Sequence, residues 1–388
     1  MSSPCGGAVA ERLRGPSATP KDLPQAPRDV RGKPSAAPPE EELGRGLVKM
    51  AFPYAMLRAG YPFERVLGMR RVTTFPVDVA IGEDRAFVIG RTEFGVGGNI
   101  RMVTMAPDDT LDDAPWGDLG TMADTGQLWP VGLTRSADGN LHILDEGNHN
   151  VTTYSPDGEK QGQWGEHGSG PGQLDRPSGM AFDADGNAWI VDTLNHRVQQ
   201  FSADGEYIGG FGEAGDGPGQ FNMPWGVAID SAGDLYISDW RNDRIQKLTS
   251  DGEHIMDFGT RPGYEVQRPC GVAIDEHGDL YVAERNKHRV VMYDKTGRYL
   301  ESFHGDATLN RMGREYIRNN HKTLRLREMT SVEPQKALRF PQGVTYHDGA
   351  LYICDFGSHR VQVYRKDAEP LTEEQIIPEL RSPTLMTT

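Results

Sequence analysis

At 388 residues, with 47 glycines, 26 prolines and only 37% hydrophobic residues, the chain has the composition of a turn-dense all-β protein rather than a helical one. A net charge of -15 excludes a broad phosphate-neutralising face, so no DNA partner is expected. Cys5, Cys270 and Cys354 are odd in number and irregularly spaced, which excludes a disulfide framework and points to a reducing, cytoplasmic setting. No apolar run reaches the roughly 18 residues of a membrane helix, and the N-terminus lacks the continuous apolar stretch of a secretory signal.

Residues 1–43, rich in Pro, Ala and mixed charge, are predicted to be a disordered arm, because they bury too little apolar area to offset the entropy of ordering. Residues 44–62 are more apolar and read as a short anchor segment in which Pro53 prevents a long helix. Then a phrase begins that the chain repeats six times. It opens on Pro76, Pro130, Pro177, Pro224, Pro269 and Pro341, at spacings of 54, 47, 47, 45 and 72.

One copy, MPWGVAIDSAGDLYISDWRNDRIQKLTSDGEHIMDFG, holds four strand signals: an apolar GVAID, alternating DLYISD and RIQKL, and a closing HIMDFG. The Asp-Gly turns between them suit hairpins. Six four-stranded meanders predict an all-β, six-bladed β-propeller with the GVAID runs innermost. The last copy reaches RVQVY and stops short of a fourth strand, so residues 63–67 are expected to close the ring by pairing with residues 360–364. The propeller is assigned to 63–366, with 367–388 a C-terminal tail.

The long spacing before Pro341 contains an insert, 306–339, expected to be partly helical. Leu309, Met312, Tyr316 and Leu324 fall near one stripe, while Arg311, Arg314, Arg318, Lys322, Arg325 and Arg327 make it basic. It is a candidate lid or dock for an anionic partner; the alternative is a solvated helix against the rim.

Features shared by most blades call for a structural cause. Asp192 with Arg197, Asp239 with Arg244, Glu284 with Arg289 and Asp355 with Arg360 recur at a spacing of five. They are expected to pin a loop by charge-assisted hydrogen bonds, and His149, His196, His288 and His359 to brace it. The loops GEHGSGPGQ and GEAGDGPGQ precede strands rather than helices, which argues against a phosphate cradle. DADGNAWIVD has its glycine at the fourth position rather than the sixth of a calcium loop.

The segments DTLNHRVQQF, ERNKHRVVMY and DFGSHRVQVY, with GSGPGQ and GDGPGQ linkers ahead of a Pro-x-Gly, resemble the NHL-repeat family of six-bladed propellers from about Phe63 to Tyr364. Members of that family are protein- or RNA-binding modules of ubiquitin ligases, sensor domains, and the zinc-dependent peptidyl-α-hydroxyglycine α-amidating lyase. The resemblance implies the fold and leaves these functions open. The lyase carries zinc-binding histidines directly after the opening proline of blades two, four and six; here those positions are Val131, Trp225 and Gln342, and Leu194 stands near its catalytic tyrosine. Zinc chemistry of that kind is therefore not expected.

Individuality is confined to a few positions. The residues after each proline, Val77, Val131, Ser178, Trp225, Cys270 and Gln342, vary around the ring and are expected either to ring the funnel or to plug the channel. Asp78 replaces the blade-start glycine, Arg91 replaces the second-strand acid, and Asn150 replaces the arginine that would pair Asp145. An unpaired Asp145 beside Glu146, facing Arg91, would make an uneven polar wall; disrupted bracing is the plainer alternative. Trp225 with Trp240 offers a stacking surface.

The candidate ligand-binding residues are thus Asp78, Arg91, Asp145, Glu146, Ser178, Trp225, Cys270 and Gln342. No nucleophile stands in a catalytic context: Cys270 lacks a ring imidazole and Ser178 a nucleophile elbow. The expected function is binding of a small molecule or protein at the funnel face, with no resident cofactor predicted and a divalent cation in the funnel left open. The alternative is a lyase or hydrolase of the amidating-lyase or gluconolactonase type using the same funnel.

Overall fold

The computed structural model describes residues 59–68, 73–92, 97–105, 121–124, 126–307 and 333–368. The 1–43 arm, residues 44–58 of the anchor segment, positions 308–332 of the insert with their apolar stripe and basic residues, and the tail beyond 368 lie outside the described residues. Regular structure is almost wholly strand, apart from single 3-10 turns and the short helix Glu333–Lys336.

Blade 4 shows the unit. Pro224–Ile229, Leu235–Asp239, Arg244–Leu248 and His254–Phe258 form an antiparallel meander in chain order. The hairpins turn on glycines such as Gly233 and Gly252, both at positive φ, which a residue without Cβ adopts at little cost. Blades 1, 2, 3 and 5 open on Pro76–Ile81, Pro130–Arg135, Pro177–Phe182 and Pro269–Ile274 and each has four strands. Blade 6 combines Pro341–His347, Ala350–Asp355 and Arg360–Arg365 with Phe63–Leu67 as its outer strand. Phe63 lies opposite Tyr364 and Leu67 opposite Val361.

The six opening strands pack side by side in a closed circle, the last against the first. The Pro-x-Gly signature has its cause here. A Cβ on Gly179 would sit 2.5 Å from the carbonyl oxygen of Trp225, and on Gly226 or Gly271 2.3 Å from that of Cys270 or Gln342. At these three positions neighbouring inner strands come too close for a side chain. Farther out, apolar faces interlock between blades: Tyr236, Ile245 and Phe258 of blade 4 pack on Val272, Leu280 and Val282 of blade 5. Full burial of such a side chain contributes about 1.5–3 kcal/mol.

Just past Arg360–Arg365, Lys366 is buried between Asp275 and Asp279 of blade 5. Tyr281 donates its hydroxyl to the same Asp275 carboxylate at 2.8 Å. Cys270 and Cys354 are buried free thiols. No helix among the described residues is long and apolar enough to cross a membrane.

Candidate functional site

At one end of each sheet the second strand finishes on an acid opposite the opening proline: Pro177 faces Asp192, Pro224 faces Asp239, Pro341 faces Asp355. Each acid accepts the backbone N–H two residues before that proline. Asn222 donates to Asp239 at 2.8 Å, and Gln267 to Glu284 at 2.7 Å. The recurrent arginine completes the brace: Arg244 Nε donates to Asp239 at 3.0 Å and its Nη2 to the carbonyl of Gly217 at 2.7 Å. These acids and arginines are used up in holding loops.

The histidines act between blades. His149, His196, His288 and His359 all have left-handed backbone, near φ 55, where histidine is enriched among non-glycine residues. Each Nδ1 accepts the N–H of the residue just before the next blade's proline: Arg176 at 3.0 Å, Met223 at 3.2 Å, Phe340 at 3.0 Å and Phe75 at 3.1 Å. Between blades 4 and 5 the carboxylate of Asp243 accepts from Arg268 at 2.8 Å instead. Among the described residues, five junctions carry this brace.

Flanking the braces are two variable positions per junction. The residue after the second-strand acid of one blade meets the residue before the proline of the next. Arg91 lies over the ring of Trp129 at 4.8 Å, Glu146 pairs with Arg176, Arg268 covers Trp240 at 4.6 Å, Arg285 reaches Phe340 at 6.0 Å, and Phe356 packs on Phe75 at 5.1 Å. Only between blades 3 and 4 is the contact different: Thr193 donates to the carbonyl of Pro224 at 3.0 Å. With Met223, these twelve residues include four arginines, five aromatic rings and a single acid, Glu146. An arginine- and aromatic-rich ring, taken as the mouth and with Arg91, Glu146, Thr193, Met223 and Trp240 buried within it, therefore sits on a chain of net charge -15.

Blades 1 and 2 depart from the rule, though not as the sequence suggests. Gly90, not Arg91, stands opposite Pro76 in the acid's place. A Cβ there would meet the carbonyl oxygen of Thr74 at 2.3 Å, so glycine is required. Arg91 belongs to the variable ring; its Nε donates to the carbonyl of Pro130 at 3.0 Å and its Nη2 lies 3.8 Å from Glu146. Asp145 is not unpaired. It is fully buried and accepts the backbone N–H groups of Leu128, Trp129, Gly147 and Asn148, which replace the missing arginine. Asn99 and Asn150 both stand where blades 3 to 6 have arginine. Among the described residues Asn99 Oδ1, Trp129 Nε1, Glu146 Oε2 and Asn150 Oδ1 lack hydrogen-bond partners, a concentration of orphaned polar atoms beside Arg91. Burial raises Glu146 above the ordinary carboxylate range, against the pull of Arg176 and Arg91.

The residues after each proline lie deeper than a lining would. Val77, Val131, Ser178, Trp225, Cys270 and Gln342 are all at most 5% exposed. Ser178 is bonded to Thr193 at 2.6 Å and the carbonyl of Trp225 at 2.7 Å. Trp225 packs 6.3 Å from Trp240, whose other neighbours are Arg241 and Arg268. The Cys270 thiol donates to the carbonyl of Arg268 at 3.5 Å. Asp78 turns into the crowded inner circle, accepting the N–H of Leu133 at 3.0 Å, and burial pushes its carboxyl up to about 7.

The repeat itself can be recognised directly. Residues 174–201, 221–248, 267–293 and 338–364 match the NHL repeat. This chain is a six-bladed propeller that carries NHL repeats. Solved structures similar to this NHL propeller include a streptogramin B lyase, 12% identical over 81% of this chain and 100% of that one, with a TM-score of 0.50. A gluconolactonase from Xanthomonas campestris is 13% identical over 79% and 99%, with a TM-score of 0.51. A Bacteroides thetaiotaomicron protein of unknown function is 16% identical over 79% and 72%, also at 0.51. At these identities the likeness is one of fold. No curated protein sequence matches the chain.

The variable mouth positions Phe75, Trp129, Arg176, Met223, Arg268 and Phe340, and the second set that includes Thr193, Arg285 and Phe356, are missing from the sequence-derived candidates. Their signal was available: both columns sit immediately beside invariant ones, the acid and the proline.

Proposed function

We propose that this NHL propeller is a binding protein whose mouth receives an anionic ligand bearing carboxylate groups and a planar or apolar part. The observation that carries this reading is the pairing of arginines with aromatic rings around the mouth of an otherwise acidic protein. A ring face holds a guanidinium in a fixed orientation, in which its planar fork can meet a carboxylate. The orphaned polar atoms of blades 1 and 2 add hydrogen-bonding capacity at one side, so the ligand is expected to be asymmetric.

The reading is tested by immobilising the protein and measuring retention of a panel of aromatic carboxylates and acidic peptides. Arg268→Ala with Arg285→Ala should weaken retention at least about tenfold, and added salt should weaken it in the wild type. Equal retention by wild type and double variant would remove the mouth as the site.

A second reading, a lyase or hydrolase using the same funnel, is favoured by Glu146 alone. A buried carboxylate held between Arg91 and Arg176 and raised by burial has the environment of a general acid or base. Turnover of a retained ligand that is abolished in Glu146→Gln, with retention unchanged, would establish it.

A further inference from the structure

Three side chains with metal-ligand chemistry meet on the rim between blades 2 and 3. His149 Nδ1 lies 3.7 Å from Asp175 Oδ1, and His167 Nε2 lies 3.5 Å from the same oxygen. The ligand atoms of all three fall within 4.8 Å of one another, and the imidazole rings stand 4.3 Å apart. Donors around one tetrahedral zinc, at about 2.0–2.1 Å from it, are separated by roughly 3.3–3.5 Å. The cluster is close to that spacing.

The blade architecture does not require it. At the next junction His196 braces Met223 in the same way that His149 braces Arg176, but there Ala214 stands in the place of His167 and Asn222 in the place of Asp175. Both additional donors are thus local departures from the repeat, placed around a histidine the repeat already supplies. His167 is largely exposed and so open to solvent-borne ions.

We propose that His149, His167 and Asp175 bind one divalent transition ion of the zinc class, with water completing its shell. Two imidazoles and a carboxylate favour such an ion over magnesium or calcium, which prefer oxygen donors. The tautomer is suitable. Because Nδ1 of His149 accepts the Arg176 N–H, its lone pair is on Nδ1 and its proton on Nε2, so coordination at Nδ1 needs no proton shift. The ion takes the place of the Arg176 N–H. The site is independent of the anion-binding reading of the mouth.

The test uses the full chain, stripped with a chelator and titrated calorimetrically with zinc, with metal content measured after dialysis. One equivalent is expected to bind. His167→Ala and Asp175→Asn, which restore the residues of the next junction and so preserve the fold, should each weaken binding about tenfold or more. His196→Ala, which removes the equivalent brace without touching the cluster, should leave zinc binding unchanged. Saturating zinc should also speed amide exchange at Arg176. No saturable binding by the wild type, undiminished binding by His167→Ala and Asp175→Asn, or unchanged exchange at Arg176 would each overturn the assignment.

Discussion

His196 Nδ1 accepts the backbone N–H of Met223 across 3.2 Å, so a loop of blade 3 holds the residue that turns the chain into blade 4. Met223 sits at φ 52, a strained conformation for its residue type, and the bond helps to hold it there. His196→Ala should cost about 1–3 kcal/mol by leaving this amide without an acceptor. His196→Asp should recover much of the loss, because Asp243 does the same work one junction later at 2.8 Å. Denaturant unfolding of the two variants measures the difference; equal losses would show that the brace is not a hydrogen bond in effect.

The inner circle discriminates between glycines. Gly179→Ala would drive a methyl to within 2.5 Å of the Trp225 carbonyl oxygen, whereas Gly132→Ala meets nothing nearer than Leu144 Cβ at 3.6 Å. Overpacking of this kind costs typically 1–3 kcal/mol. Gly179→Ala should lower the melting temperature by several degrees and Gly132→Ala should leave it nearly unchanged.

Lys366, buried against Asp275 and Asp279, joins the end of blade 6 to blade 5. Lys366→Met strands two buried carboxylates and should destabilise by roughly 3–5 kcal/mol. Adding Asp275→Asn and Asp279→Asn removes the stranded charge and should restore part of that stability, read again by denaturant unfolding.

Asp78 makes stability depend on pH in a direction opposite to that of a salt-bridged carboxylate. Its carboxyl rises from 3.8 to about 7 in the folded protein, burial outweighing two backbone hydrogen bonds. Between those values the folded state keeps a proton that the unfolded state has lost, so this contribution is present at low pH and disappears as pH rises toward about 7. Asp78→Asn should flatten that part of the stability curve. A difference between wild type and variant that is constant from acid to neutral pH would contradict the shift.

Much of the fold was legible because its determinants are local and repeated. Six proline-opened phrases, five of them Pro-x-Gly, and Asp-Gly turns specify six meanders, and the Asp-Arg spacing of five is read out as a brace in blade after blade. The site was less legible. Register decides whether Arg91 or Gly90 occupies the acid's place, and a one-residue offset is invisible without strand pairing. Asp145 looked unpaired because an arginine partner was sought, while its partners are backbone amides and the Asn148 side-chain amide brought round by a turn. The residues after each proline differ between blades, but tight packing buries them, and the variation that reaches the mouth is carried by the two neighbouring columns.

Each brace reaches forward into the following blade, and the first strands form a circle without beginning or end. An open array of repeats can fray from its termini and lose units one by one. Here the opening strand of every blade packs between two others, so loosening any one blade slackens its neighbours on both sides. Melting should accordingly be collective across the whole wheel.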